Sequence, residues 1–179
     1  MTILDFTRNF RRHMLPTLSL CLWTYATNAY ALGATCTVSS TGMAFGNYQP
    51  LTYTVKLTSA DKTSTADVKV ICTGLLATGG YTISLGPSTY GTGNRISTRY
   101  LNNTTHGGLY MAYNIFTESA YTTIWGNGFT GSPVTGTGSL ILGTSTNNHT
   151  VYGKVLAGQN TLKAGIFSDS LTMTLTYNP

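Results

Sequence analysis

Three cysteines, three histidines and five acids carry whatever nucleophilic, metal-binding or acid–base chemistry these 179 residues have. Cys21 lies in an apolar run near the N-terminus. Cys36 and Cys72 have no Cys or His close by in sequence, so the ligand spacing of a metal site is missing. In an oxidising compartment two cysteines permit one pairing, and a disulfide is the expectation. Closing a loop of about 36 residues stabilises by roughly 3–4 kcal/mol on the chain-entropy model. A hydrolase triad is not in view. His106 and His149 sit beside Asn in polar, turn-like stretches, and there is no G-x-S-x-G elbow. Asp61, Asp67, Glu118 and Asp169 form no local pair of the glycosidase kind. Gly126-x-Gly128-x-x-Gly131 matches the dinucleotide fingerprint by letter, but Ser132-Pro133 follows where a phosphate-holding helix must begin. Asn102, Asn103 and Asn148 begin Asn-x-Thr sequons, which arise freely in Asn/Thr-rich loops. No enzyme, metal or cofactor is indicated.

The elements that carry these residues read as strands. Charged residues are 8% of the chain, against about 25% in an ordinary soluble protein. Thr occurs 34 times, Gly 20 and Tyr 12. Thr and Tyr suit a pleated, half-buried surface. The hydrophobic share of 41% is enough for a real core. Period-2 alternation dominates. Ala66, Val68, Val70 and Cys72 share one face, as do Tyr81, Ile83 and Leu85, and Leu109, Met111, Tyr113 and Ile115. At the C-terminus Leu171, Met173, Leu175 and Tyr177 alternate with Thr172, Thr174 and Thr176. Turn clusters fall between the runs: Gly79-Gly80, Gly86-Pro87, Gly91–Asn94, Asn102-Asn103, Gly126–Gly128 and Gly158–Asn160. The pattern predicts an all-β sandwich or barrel, one domain over 32–179. Gly126–Ser139 reads as an exposed loop or irregular edge.

The N-terminus reads as a secretory signal over 1–31. Arg8, Arg11 and Arg12 precede an apolar stretch from Leu15 to Tyr25, and Ala29-Tyr30-Ala31 has the small-x-small cleavage pattern. The apolar run is too short to span a membrane. Seven cations and four acids lie beyond residue 31, and the cations are scattered. No basic stripe points to nucleic acid.

Several blocks, in order, resemble the spore coat protein U domain, the subunit domain of archaic, Csu-type chaperone–usher pili. They are Cys36 with its strand and Phe45-Gly46-Asn47-Tyr48, then Val70–Thr73, then Arg99 and Leu101 with Leu109–Phe116. Trp125-Gly126-Asn127-Gly128, Val151–Lys154, Ala157–Gln159, Gly165–Ser170 and the terminal strand to Tyr177 complete the set.

The resemblance implies an Ig-like β-sandwich that lacks its last strand. It implies a periplasmic chaperone that lends a strand, an outer-membrane usher, and a neighbouring pilus subunit whose donated strand replaces the chaperone's. It implies transport through the periplasm to the cell surface, with attachment and biofilm as the outcome. The expected donor-strand groove is Val38, Leu171, Met173, Leu175 and Tyr177, although alternation alone equally fits a complete core. Filling it with four or five apolar side chains is worth on the order of 5–10 kcal/mol. The chain departs from the family in one place. Only Leu32–Thr35 would precede Cys36 after cleavage, so the expectation is a subunit that accepts a strand but donates poorly, as at a terminal or tip-like position. Two other readings stay open. One is a stand-alone secreted coat protein with a complete sandwich. The other is a carbohydrate-binding sandwich using the loops around Tyr90–Tyr100 and Trp125–Phe129, with Trp125 and Phe129 as surface recognition residues. Trp125 also suits a core or groove-edge position.

Overall fold

The computed structural model describes residues 35–49, 52–53, 57–58 and 60–178. The expected signal segment and Leu32–Ala34 lie outside them. Nine strands and no helix occur among the described residues. They are β1 (Thr35–Ser40), β2 (Thr52–Tyr53), β3 (Leu57–Thr58), β4 (Lys62–Leu85), β5 (Arg99–Asn103), β6 (Tyr110–Phe116), β7 (Val134–Val155), β8 (Phe167–Ser168) and β9 (Met173–Asn178). The main sheet runs β1-β4-β7-β6-β5-β8, with β9 also on β4, and β2 and β3 form a separate pair. All these pairings are antiparallel. This is the all-β, sandwich-like fold expected from the alternation.

β4 and β7 form one long ribbon that builds both layers. Their register holds from Lys62↔Val155 to Ile83↔Val134. Yet the buried residues of β4 change parity, from Ala66, Val68, Val70 and Cys72 to Tyr81, Ile83 and Leu85. Successive side chains in a strand point to opposite faces. An unbroken register with a change of parity therefore means that the ribbon turns over between Cys72 and Tyr81. Glycines sit at that turnover, with Gly74 opposite Gly143 and Gly79 opposite Gly138. Gly143 has φ +121°, a conformation that side-chain-bearing residues rarely adopt. Gly79-Gly80, expected as a turn, is thus the middle of a strand. Asn148 and His149, expected in a turn-like stretch, lie within β7. The segment expected to be loop over Gly126–Ser139 is a loop only as far as Pro133, after which β7 begins.

The core gathers apolar residues from both halves of the ribbon with Met111, Tyr113 and Ile115 of β6 and Trp125. A polar network lies inside it. Arg99 is fully buried, and its guanidinium donates to Asn114 Oδ1 at 2.6 Å, to the Gly86 carbonyl at 2.9 Å and to the Trp125 carbonyl at 2.9 Å. Burial pushes its pKa down to about 10, so it stays charged at neutral pH. The Asn114 side chain in turn donates to the Ile96 and Ser97 carbonyls. These bonds fix the end of β4, the start of β5 and the Trp125 turn against one another.

Candidate functional site

β1 and β9 lie along the same edge of β4. β1 covers Val68–Thr73 and β9 covers Gly80–Leu85. Because the ribbon turns over between them, they border different layers of the sandwich. Each pairs with β4 alone among the described residues. Each therefore presents a second edge of backbone N–H and C=O groups that no described strand occupies.

Between these edges the interior is open. A cleft of about 220 Å³ has Ser40, Met43 and Phe45 on the β1 side and Leu171 and Met173 on the β9 side. Its floor is core: Ala66, Leu85, Ile115, Trp125 and Val151. A second cleft, about 820 Å³, continues from it between the 43–49 loop and the 162–169 segment. Met43, Phe45, Leu101 and Asp169 line both. Together the clefts make one seam, apolar over the core floor and mixed where Asn47, Gln49, Lys163 and Ser168 line the second cleft.

Local sequence explains the walls. β9 alternates half-buried Met173, Leu175 and Tyr177 with exposed Thr174, Thr176 and Asn178. In β1, half-buried Cys36 and Val38 face inward while Thr35, Thr37 and Ser39 are exposed. Cys36 and Cys72 are directly paired positions and form the disulfide, so β1 is covalently held to β4. The 43–49 loop is anchored by Phe45, edge-on to Tyr113 at 5.9 Å, and by the Tyr48 hydroxyl, which donates to the Leu156 carbonyl.

Asp169 is a polar group shared by both clefts of the seam. It accepts from the Tyr113 hydroxyl at 2.7 Å, the Ser88 hydroxyl at 2.8 Å, and the backbone N–H groups of Thr89 and Ser170. Burial, then the bond to this carboxylate, pushes the Tyr113 pKa far above its ordinary value. The segment between β8 and β9 is thereby pinned to β6.

Leu171 and Met173 line the seam, and Val38, Leu175 and Tyr177 pack half-buried against the same core. Trp125 does not serve surface recognition. It is 2% exposed and its Nε1–H donates to the Ile83 carbonyl at 2.7 Å, so its ring is seam floor. Phe129 is 99% exposed at the tip of a tight turn in which Asn127 Oδ1 accepts from the Phe129 and Thr130 N–H groups. Met43 and Phe45 are site residues that alternation does not reveal, because they lie outside a strand. The Phe45-Gly46-Asn47-Tyr48 block marks Phe45, and no sequence signal marks Met43.

The Spore Coat Protein U domain model matches residues 24–174, and the chain belongs to the spore coat protein U domain family. No curated protein matches it. Among the solved structures similar to it are three of pilus or fimbrial proteins. One is the CsuC–CsuE chaperone–tip adhesion subunit pre-assembly complex from the archaic Csu pili of Acinetobacter baumannii, at 16% identity and TM-score 0.46, covering 79% of this chain and 39% of that one. The P pilus rod subunit PapA matches at 17% identity and TM-score 0.44, covering 80% and 99%. A chaperone–tip adhesin complex of CFA/I fimbriae biogenesis matches at 12% identity and TM-score 0.39, covering 76% and 42%. The chain thus spans 39% of the length of the first of these.

Proposed function

We propose that the chain is a structural and adhesive subunit of an archaic chaperone–usher pilus, assembled by donor-strand complementation at the β1–β9 seam. The observation that carries this reading is the seam itself. In a chain of this family, two strand edges flank an open cleft whose floor is the hydrophobic core. A chaperone strand fills it in the periplasm, and a strand of a neighbouring subunit replaces that strand at the usher. The subunit then stands in a surface pilus that supports attachment and biofilm.

The magnitudes are consistent with this role. The five expected groove residues are already half-buried, so sealing them brings about half of the full burial value. That is about 4–7 kcal/mol at 1.5–3 kcal/mol per fully buried side chain. A gain of this size separates a subunit that needs a chaperone from a very stable fibre.

The test is expression of the chain in the periplasm with and without a chaperone of the same assembly system. Recovery of soluble protein only as a one-to-one complex is the expected result. A stable monomer without chaperone, indifferent to donor peptides, means a closed sandwich and overturns the proposal.

A further inference from the structure

We propose that the outer face of β5 and β6, where Tyr90, Tyr100 and Tyr110 cluster beside Asn102, binds an uncharged saccharide. This inference goes beyond the strand-acceptor reading and does not depend on it. Strand alternation separates the two faces of the hairpin. Leu101 of β5 and Met111 of β6 line the larger cleft, so Tyr100, Asn102, Tyr110 and Ala112 belong to the opposite face. Tyr110 is directly across from Asn102, and Tyr100 from Ala112. A strand seated in the seam therefore does not cover them. Tyr90 joins this face from the loop between β4 and β5. Its ring is near-parallel to that of Tyr110, with centroids 6.1 Å apart and planes at 26°. Tyr100 meets the same Tyr110 ring edge-on at 6.4 Å.

The rings are held in place before any ligand arrives. Ser88 Oγ accepts from the Tyr90 and Tyr100 N–H groups and so ties the loop to β5. Gly91, at φ +87°, lies so close on the Tyr100 ring that no Cβ fits there. Rings fixed in advance lose little entropy when a ligand stacks on them. Tyr110 is 43% exposed, and Tyr90 and Tyr100 are half-buried. Their hydroxyls and the Asn102 amide make no hydrogen bond among the described residues. The face thus offers aromatic surfaces beside open donors and acceptors. A sugar ring matches both. Its C–H groups, polarised by neighbouring oxygens, pack on the negative face of an aromatic ring, and its hydroxyls reach the phenols and the amide. No acid or base stands among Tyr90, Tyr100, Asn102, Tyr110 and Ala112, so an ionic ligand finds no counter-charge in the cluster. Area argues against a folded protein partner. A tyrosine buries about 150–250 Å² in full, so three at these exposures present on the order of 200 Å². A stable protein interface takes about 800 Å² from each partner.

The experiment runs the full chain, as recovered from the periplasm alone or with its chaperone, in native gels. The gels contain hydroxyethyl cellulose, laminarin or galactomannan, all neutral polymers. Retardation by at least one of them is the expected result. In Tyr110→Ala the affinity for that polymer drops about tenfold or more, the scale of one lost aromatic contact with its hydroxyl. Tyr90→Ala weakens it as well, and this second variant leaves both strands untouched. Phe129→Ala, an exposed ring on a separate turn, runs as the wild type. Thermal melts of each variant check that the fold is kept, and if Tyr110→Ala does not fold, Tyr90→Ala decides. Absence of retardation in all three gels overturns the inference. So does retardation unchanged in both tyrosine variants, or an equal loss in Phe129→Ala. Recovery as a chaperone complex or as a free monomer judges the strand-acceptor reading separately, so the two fail apart.

Discussion

The Tyr113 hydroxyl donates to Asp169 Oδ2 at 2.7 Å, tying the middle of β6 to the segment that leads into β9. The same carboxylate oxygen accepts from Ser88, and its partner oxygen accepts from the Thr89 and Ser170 N–H groups. Four donors converge on one acceptor-only group. Asp169→Asn puts an NH₂ where donors already point. The expected loss is about 2–3 kcal/mol, since bonds to charged groups are worth roughly 1.5–3 each and some are kept. Urea denaturation of the disulfide-intact protein measures it. A loss under about 0.5 kcal/mol would mean that the network does not hold the β9 segment.

Arg99 presents a stricter case. Its guanidinium meets Asn114, Leu85, Gly86 and Trp125. Lys has one compact ammonium and cannot span these acceptors. Arg99→Lys is expected to destabilise by about 3 kcal/mol or more, because it leaves buried carbonyls unpaired and a buried charge poorly solvated. The check is a thermal melt compared with that of Arg95→Lys, whose half-exposed side chain makes a single bond to the Thr89 carbonyl.

Some of this was legible from residues alone. The β9 row was, because apolar residues alternate with Thr without interruption. So was the Cys36–Cys72 pairing, because the expected loss of Cys21 with a signal segment leaves two cysteines and one pairing. The continuity of β4 was not. Gly79-Gly80 looks like a turn to any local reading, and only the facing strand β7 shows that the glycines serve a turnover. His149 looked like a turn residue because Asn precedes it, yet the unbroken β4 ladder keeps that stretch extended. Arg99 stood out only through the family resemblance, since an isolated Arg ordinarily signals surface. That β1 and β9 each pair with β4 alone among the described strands is a tertiary fact, and no strand pattern records it.

His149 is expected to make the fold acid-sensitive. The Tyr81 hydroxyl and His149 Nε2 are 2.7 Å apart, and burial lowers the His149 pKa from 6.5. The unfolded chain therefore takes up this proton at a higher pH than the folded chain does. Stability is present above 6.5 and falls as the pH drops from there through the folded-state value. The carboxylates with lowered pKa, Asp61 and Glu118, act further down, below their ordinary values of 3.8 and 4.5. Melting temperatures between about pH 7 and 5 should fall for the wild type and stay flatter for His149→Gln. Equal slopes in the two proteins would remove His149 as the cause.

The disulfide and the seam are linked through Val38. β1 is held on β4 by its ladder and by the Cys36–Cys72 bond, and Val38 packs half-buried against the seam's core. Reduction costs about 3–4 kcal/mol if the closed loop is the main term, and β1, an edge strand of six residues, is the element that loosens first. Cys36→Ser with Cys72→Ser should therefore lower the denaturation midpoint and weaken strand capture together. Met173→Ser separates the two effects. It removes a half-buried side chain at the seam rim and leaves the disulfide intact, at a stability cost of about 1–2 kcal/mol. Its capture of a Val/Thr strand peptide should drop by about tenfold or more, in line with the lost apolar contact. If Met173→Ser captures the strand as the wild type does, the β9 row is ordinary core and the acceptor edge lies elsewhere.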